Sequence, residues 1–156
     1  MALEVREVTL DDPQVRALAL DHVQQMRAGS PPGQAFALDL TGLDDPAITL
    51  FGAWRGGELL GIGALKQLDA GQAEIKSMRT RADALRQGVA RALLEAIIAQ
   101  AKEVRLNRLS LETGSGPAFE PALALYRARG FRNGDAFADY ENTEFNQCLH
   151  LDLIDR

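Results

Sequence analysis

The sequence predicts an α/β (α+β) fold, in which helices cover a central sheet that is mixed but mostly antiparallel. Short segments with the period-two alternation of strands recur along the chain, together with longer segments of helical period. Two tight turns join three neighbouring strands into an antiparallel meander, and the third strand leads directly into the longest helix. The pattern as a whole predicts about six to seven strands and about four helices.

Size and composition limit the classes of protein to consider. The chain has 156 residues, 46% of them hydrophobic and 25% charged, which predicts a single domain over residues 1–156. No apolar run is long enough for a membrane span or an export signal, and one cysteine fits a reducing cytoplasm. With only two histidines besides that cysteine, no metal site is expected. The net charge of −5 argues against a nucleic-acid partner.

The N-terminal segment predicts a strand over 3–8 and a helix over 13–27, the helix beginning at an Asp–Pro pair. His22 lies on the apolar face of this helix, so a packed histidine is favoured over a catalytic one. A Gly- and Pro-rich break follows at 28–33. Residues 36–43 then predict either a short second helix or an irregular lid.

The predicted meander consists of residues 48–54, 59–65 and 73–80, which are rich in strand-forming side chains. Turn residues separate these segments at 55–58 and 69–72. Trp54, at the end of the first segment, is expected to pack in the core rather than to line a substrate cavity.

The stretch 73–104 predicts a strand, a basic turn and an amphipathic helix of about four turns. Gly88 and Ala90 place small side chains at the start of this helix, and Arg86 and Arg91 flank it. Unpaired N–H groups and the positive end of the helix dipole favour an anion at this point, so a phosphate-binding loop is one interpretation. An ordinary strand–helix turn is the other, since neither the dinucleotide nor the P-loop motif is present.

The C-terminal part predicts a strand over 108–113 and a helix over 119–130, which ends at Gly130. Another strand is predicted to begin at residue 131, and the last one to cover 143–153.

Two blocks in this order resemble the GNAT superfamily of N-acetyltransferases. RTRADALRQGVARALL (79–94) resembles the superfamily's pyrophosphate loop, Q/R-x-x-G-x-G/A, and ALALYRARGF (122–131) resembles its A-x-x-L-Y-x-x-x-G-F segment. The order of predicted elements agrees over nearly the whole chain. Leu85 departs from the pattern because it stands where a Gln or Arg is usual, which puts one side-chain contact to the pyrophosphate in doubt.

The resemblance implies a sheet splayed between its fourth and fifth strands, with acetyl-CoA in the gap as the acyl donor. The acetyl group would pass to a primary amine of a small molecule that attacks the thioester directly, without a covalent intermediate on Cys148. The residues that the resemblance assigns to coenzyme binding are Met78, Arg79, Thr80, Arg86, Gln87, Gly88, Val89, Ala90, Arg91 and Tyr126. A strand bulge near Met78 would direct one N–H group at the thioester carbonyl.

The resemblance also implies which residues move protons. Tyr126 would protonate the departing thiolate; alternatively, it only packs on its helix and hydrogen-bonds the sulfur. Glu74 is assigned as catalytic and is, like Glu112, a candidate base for the amine, whereas the alternative for Glu74 is a structural ion pair with Lys76. By the strand period, Glu74, Lys76 and Met78 are expected on one face.

Phe36, Glu74 and Glu112 are the residues assigned to the substrate. Loop residues 139–141 could recognise a cation, although solvated loop residues are the default.

Other functions remain open at this point. One alternative is acetylation of a protein N-terminus or lysine, and another is a non-catalytic acyl-CoA-binding module. Homodimers are common in this fold, and the last strand is apolar enough to pair across an interface.

Overall fold

The computed structural model describes residues 2–29 and 43–153, and within these ranges the chain forms seven strands and three α-helices. The strands are β1 (Glu4–Val8), β2 (Ile48–Arg55), β3 (Glu58–Gln67), β4 (Gln72–Thr80), β5 (Arg108–Thr113), β6 (Arg132–Asn133) and β7 (Gln147–Asp152). The helices are α1 (Pro13–Gly29), α2 (Val89–Glu103) and α3 (Glu120–Arg129), and a short 3-10 turn covers Ala82–Ala84. The helix or lid predicted at 36–43 lies, except for its last residue, outside the described residues.

All seven strands form one mixed sheet in the order β1-β2-β3-β4-β5-β7-β6. Every neighbouring pair is antiparallel except β4 and β5, which are parallel. The predicted α+β sheet and its β2-β3-β4 meander are therefore confirmed. No helix of the described segments is long and apolar enough to cross a membrane.

The parallel pair is short, and this creates the gap in the sheet. Gln72–Glu74 of β4 pair with Arg108–Ser110 of β5, and the pairing stops there. Because β4 continues to Thr80 and β5 to Thr113, the ends of the two strands separate. The predicted splay between the fourth and fifth strands is confirmed.

Each face of the sheet is covered by one long helix. On one face, α2 buries Leu93 and Ile97 in a cluster that includes strand residues such as Leu109. On the other face, α1 packs with strand residues that include Trp54 and Ile62. Trp54 is thus a core residue, as expected from the sequence.

A β-bulge interrupts β4 just before the gap. Ala64 of β3 faces Lys76, whereas Ile62 faces Arg79, so β4 carries one more residue than β3 between these pairs. Ser77 absorbs the insertion with a φ of 55°. A left-handed conformation is uncommon for a residue with a side chain, and it reverses the alternation of the strand.

The bulge changes the face to which Met78 belongs. A Cβ on Gly63 would lie 2.6 Å from Met78 Sδ and 3.1 Å from Ile97 Cδ1, so Met78 lies on the α2 face. Lys76 pairs with Ala64, a member of the α1-side cluster. The expectation that Glu74, Lys76 and Met78 share one face is wrong, because the extra residue at Ser77 shifts the period of two.

The last strand is shorter than predicted. Residues 143–146 form a turn in which Thr143 Oγ1 accepts hydrogen bonds from the N–H groups of Phe145 and Asn146. The Thr143 N–H also bonds to the Asn146 carbonyl, at 3.0 Å. β7 therefore begins only at Gln147, and β6 has just two residues.

Replacement of Leu93 by Ala tests the account of the core. Leu93 is fully buried between α2 and the sheet, so Leu93→Ala is expected to lower the free energy of unfolding by about 2–5 kcal/mol in urea titrations. Leu20→Ala is the matched control, because Leu20 of α1 is 45% exposed, and its cost is expected to stay within about 0.5 kcal/mol. Equal costs at the two positions would contradict the described core.

Candidate active site

A cavity of about 220 Å³ opens where β4 and β5 separate. Residues 74–79 of β4 line one wall and residues 111–113 of β5 the other. His22 of α1, Tyr126 of α3 and the loop residue Tyr140 also line it, together with apolar residues between 118 and 122. The splay therefore brings ionisable side chains from distant parts of the sequence together.

Glu74, Lys76 and Tyr140 form a hydrogen-bonded network in the wall of this cavity. The Tyr140 hydroxyl donates to Glu74 Oε2 at 2.5 Å, and Lys76 Nζ donates to the Tyr140 oxygen at 2.8 Å. Lys76 Nζ also lies 3.2 Å from Glu74 Oε2, with side-chain exposures of 9% and 4%. Because a buried carboxylate is costly without partners, these contacts are what allow Glu74 to lie here. The ion pair considered for Glu74 and Lys76 is present.

Tyr140 lines the cavity, whereas the sequence had suggested for residues 139–141 a solvated loop by default or recognition of a cation. Its ring contacts Phe137, with centroids 5.1 Å apart, and Phe137 is itself buried. Burial and the nearby Glu74 raise the pKa of the Tyr140 phenol, so its hydroxyl stays protonated and donates to Glu74. The sequence feature that could have indicated this position is a tyrosine within a loop that also contains several acidic residues.

Glu112 lies on β5, within the electrostatic range of this network. Burial, followed by repulsion from Glu74, raises the pKa of Glu112 from 4.5 to about 7, and Lys76 acts in the opposite direction. A carboxylic acid that titrates near neutral pH can both accept and release a proton under ordinary conditions. Glu112 is thus suited to exchange a proton with a substrate in the cavity.

Tyr126 reaches the cavity from α3. The helix α3 lies where the sequence predicted it, with Pro121 in its first turn and Gly130 after its last turn at a φ of 110°. The Tyr126 ring packs edge-on against Phe131, with centroids 5.7 Å apart, and the residue is 6% exposed. Burial raises the pKa of the Tyr126 phenol, so Tyr126 is present as a proton donor rather than as a phenolate.

His22 and Arg79 meet at another part of the cavity wall. Arg79 Nε donates to His22 Nδ1 at 3.2 Å. Burial, and then the charge of Arg79, lowers the pKa of His22 to about 4, so the imidazole is neutral and can accept this bond. The packed position expected for His22 is confirmed, since it is 7% exposed, but its contact with Arg79 was not foreseen.

The loop before α2 has the features of an anion site. Gly88 precedes the helix with a φ of 82°, no side chain caps the helix start, and a Cβ on Gly88 would meet nothing within 4 Å. The first N–H groups of α2 are therefore available to a ligand. Arg86 also has a positive φ, of 63°, and lies exposed beside them.

Two side chains in this loop have other contacts. Gln87 Oε1 accepts a hydrogen bond from Arg55 at 2.7 Å. Leu85, which replaces the usual Gln or Arg, is 58% exposed.

The open edge of β4 faces the gap. The N–H group of Arg81 bonds to the Leu60 carbonyl of β3 at 2.8 Å. Since successive N–H groups of a strand point in opposite directions, the Thr80 N–H points away from β3, towards the gap. This is the orientation that strand-like binding of an extended ligand requires.

Comparisons with known proteins agree on one family. The sequence profile of the Acetyltransferase (GNAT) family matches residues 15–131. YsnE, an uncharacterised N-acetyltransferase of Bacillus subtilis (strain 168), is 50% identical over 127 residues, which are 81% of this chain and 84% of that protein. YedL, an uncharacterised N-acetyltransferase of Escherichia coli (strain K12), is 42% identical over 146 residues, 94% of this chain and 92% of that protein.

Solved structures share the fold. A Klebsiella pneumoniae structure described as an acyl-CoA N-acyltransferase has a TM-score of 0.78 and 25% identity, covering 97% of this chain and 98% of that one. A GNAT family acetyltransferase of Elizabethkingia anophelis with acetyl-CoA bound has a TM-score of 0.68 and 19% identity, with coverages of 97% and 98%.

The splayed sheet and the enclosed proton donors and acceptors belong to an acyl-transferring enzyme. The chain is a member of the acetyltransferase (GNAT) family, as its match over residues 15–131 and its curated relatives show. It is therefore an acyltransferase, and the acyl donor of this family is acetyl-CoA.

The structure brings five of the predicted site residues into one cavity, and the others that it describes lie elsewhere. Glu74, Glu112 and Tyr126 line one cavity together with Met78 and Arg79. The residues of the predicted pyrophosphate loop lie beyond this cavity, around the start of α2. Phe36 lies outside the described residues. Among the described residues no cluster of His, Cys, Asp or Glu could hold a metal ion.

The raised pKa of Glu112 predicts how stability changes with pH. Because folding raises this pKa from 4.5 to about 7, the folded protein keeps a proton that the unfolded chain loses, and stability falls as pH rises through that interval. Glu112→Gln removes this effect. The free energy of unfolding of the variant minus that of wild type is therefore expected to increase by about 1–3 kcal/mol as pH rises from about 5 to about 8, measured in urea titrations.

Glu144→Gln is the control for this titration, since Glu144 is an exposed loop residue. A difference between Glu112→Gln and wild type that does not change with pH would contradict the described environment of Glu112.

Proposed function

We propose that this enzyme transfers an acetyl group from acetyl-CoA to a primary amine of a small molecule, by direct attack of the amine on the thioester. The observation that supports the proposal is that Glu112 and Tyr126 line the same cavity between β4 and β5. Glu112 is suited to accept a proton from the amine, and Tyr126 is suited to donate a proton to the departing sulfur.

Glu112 is our choice for the base. Its pKa of about 7 leaves a substantial fraction ionised at neutral pH, whereas the carboxylate of Glu74 already accepts a hydrogen bond from Tyr140 and pairs with Lys76. In this proposal Glu74 retains a role at the site, because its charge adds to the effect of burial on the pKa of Glu112 and its hydrogen bond holds Tyr140 in place.

Glu112 takes a proton from the substrate ammonium, which leaves a neutral amine to form the C–N bond. As the C–S bond breaks, Tyr126 donates its phenolic proton to the sulfur and then recovers one from the acceptor nitrogen. The ammonium loses two protons in all: one ends on the coenzyme thiol and the other is released to solvent from Glu112.

Tyr126 can act in this way although its pKa is raised. The same burial that disfavours a phenolate also disfavours a thiolate, so the transfer of a proton between the two is less uphill than their values in water suggest. In the alternative role, Tyr126 would hydrogen-bond the sulfur without transferring a proton.

The backbone is proposed to bind the donor. Residues 86–91 at the uncapped start of α2 would hold the pyrophosphate, and the open edge at Met78 and Thr80 would hold the pantetheine arm. An N–H group at the Ser77 bulge would donate to the thioester oxygen as that oxygen gains charge. Leu85 contributes no polar side-chain contact there, so backbone groups are expected to supply most of the binding.

A small acceptor fits the volume of the cavity, about 220 Å³, better than a polypeptide segment does. We place the reaction in the cytoplasm, since the chain contains a single cysteine, which is buried and free. A homodimer that pairs through the last strand is compatible with this scheme.

Thermal unfolding tests the donor. Acetyl-CoA and CoA are expected to raise the Tm of the protein, since a ligand at 100 times its Kd contributes about 2.7 kcal/mol. NADH and ATP at equal concentrations serve as controls. Equal shifts with all four ligands, or none with either coenzyme A species, would refute acetyl-CoA as the donor for this chain.

Tyr126→Phe tests the proton donor. The ring and its packing on Phe131 remain, so affinity for acetyl-CoA is expected to change little, while kcat falls roughly tenfold or more because no proton reaches the sulfur. Coenzyme A release measures kcat, and the acetyl-CoA-dependent Tm shift monitors binding. An unchanged kcat would remove Tyr126 from the mechanism.

A further inference from the structure

Arg79 is a half-buried cation in the cavity wall, and most of its N–H donors have no partner in the described part of the chain. Its Nε donates to His22, and the four terminal N–H donors of the guanidinium have no hydrogen-bond partner in the described part of the chain. Asp21 supplies a favourable but more distant charge. By contrast Arg81, outside the cavity, bonds Asp83 at 2.6 Å and lies 3.7 Å from Glu58.

The side chain of Arg79 lies on the α1 face, away from the proposed coenzyme loop. Its strand partner is Ile62, which belongs to the α1-side cluster, and its hydrogen bond goes to His22 on α1 itself. The loop that would hold the pyrophosphate leads into α2, which covers the opposite face. We therefore assign the Arg79 side chain to the acceptor rather than to the coenzyme.

Besides Arg79 and the neutral His22, the described lining of the cavity contains three acidic or basic side chains, namely those of Glu74, Lys76 and Glu112. Lys76 and Glu74 neutralise each other at 3.2 Å. Among the described residues this leaves Arg79, which has only the more distant charge of Asp21 opposite it, and the ionisable carboxyl group of Glu112. They lie on the two strands that form opposite walls. An acceptor that complements both carries an ammonium group and a carboxylate within one small molecule.

We propose that the acceptor is a free amino acid or a related amino carboxylate, whose carboxylate binds the Arg79 guanidinium while its amine faces Glu112. This inference rests on the proposed function. A planar guanidinium forms paired hydrogen bonds with a carboxylate, and His22 orients it through Nε. A polyamine would bring a second cation to Arg79, and a protein N-terminus would present a neutral amide there.

Acceptor pairs that differ in the carboxylate alone test the inference. Leucine, phenylalanine, methionine and glutamate are each compared with their α-carboxamides, and coenzyme A release gives kcat/KM. For accepted side chains, the free acid is expected to exceed its amide by roughly tenfold to a hundredfold. Amidation lowers the pKa of the amine, which alone would favour the amide, so a preference for the acid reports recognition of the carboxylate.

Arg79→Gln is expected to bring the acid-to-amide ratio close to one by slowing the acid and leaving the amide nearly unchanged. Arg79→Lys, which keeps the charge without the planar fork, should give an intermediate ratio. Arg16→Gln is the matched control, because Arg16 lies exposed on α1, and its ratio should equal that of wild type.

The inference would be wrong if wild type showed an equal or higher kcat/KM for the amides than for the acids. It would also be wrong if Arg79→Gln lowered kcat/KM equally for acid and amide. A third contrary result is that no free amino acid is turned over although acetyl-CoA raises Tm. The absence of a Tm shift with acetyl-CoA would instead overturn the proposed function. The two failures are therefore distinguishable.

Discussion

The short pairing between β4 and β5 is the constraint on which the site depends. Only Gln72–Glu74 and Arg108–Ser110 form the parallel ladder, so the strand ends beyond it are free to separate. If the ladder continued, strand hydrogen bonds would occupy the edge that faces the gap, and the cavity would be closed. The bulge at Ser77 adds to this effect, because it turns Met78 to the α2 face and leaves Arg79 on the α1 face.

Burial of charge in this gap requires compensation, and the chain supplies it unequally. Glu74 is satisfied by Lys76 and Tyr140, at 3.2 Å and 2.5 Å respectively. Burial, and then repulsion by Glu74, raises the pKa of Glu112 to about 7. Arg79 is held by a neutral imidazole. Ionisable groups that lack full charge or hydrogen-bond partners in a cavity are candidates for binding and proton transfer, since a substrate can supply the missing partners.

Local patterns predicted much of the fold and part of the site. The meander, the amphipathic α2 and the end of α3 at Gly130 follow from alternation, helical period and turn residues close together in the chain. The two sequence blocks drew attention to Tyr126, which lines the cavity, and to the loop before α2, where no side chain caps the helix. These features depend on residues only a few positions apart, so their patterns can be recognised in a single sequence.

Features that depend on distant contacts or on one inserted residue could not be predicted in this way. Tyr140 and Glu74 are 66 positions apart, and no local pattern indicates that the late loop folds over β4. The bulge at Ser77 adds one residue to a strand that otherwise alternates regularly, so Met78 was placed on the wrong face. The turn at 143–146 uses the Thr143 hydroxyl in place of the strand hydrogen bonds that its apolar alternation suggested.

A crystal structure of the protein with coenzyme A would show directly whether the donor binds in the gap. We expect the pantetheine arm to lie between β4 and β5, the Thr80 N–H to donate to it, and the sulfur to lie within hydrogen-bond distance of Tyr126. The pyrophosphate should contact N–H groups at the start of α2. Coenzyme bound outside the gap, or β4 and β5 paired along their whole length, would contradict the account.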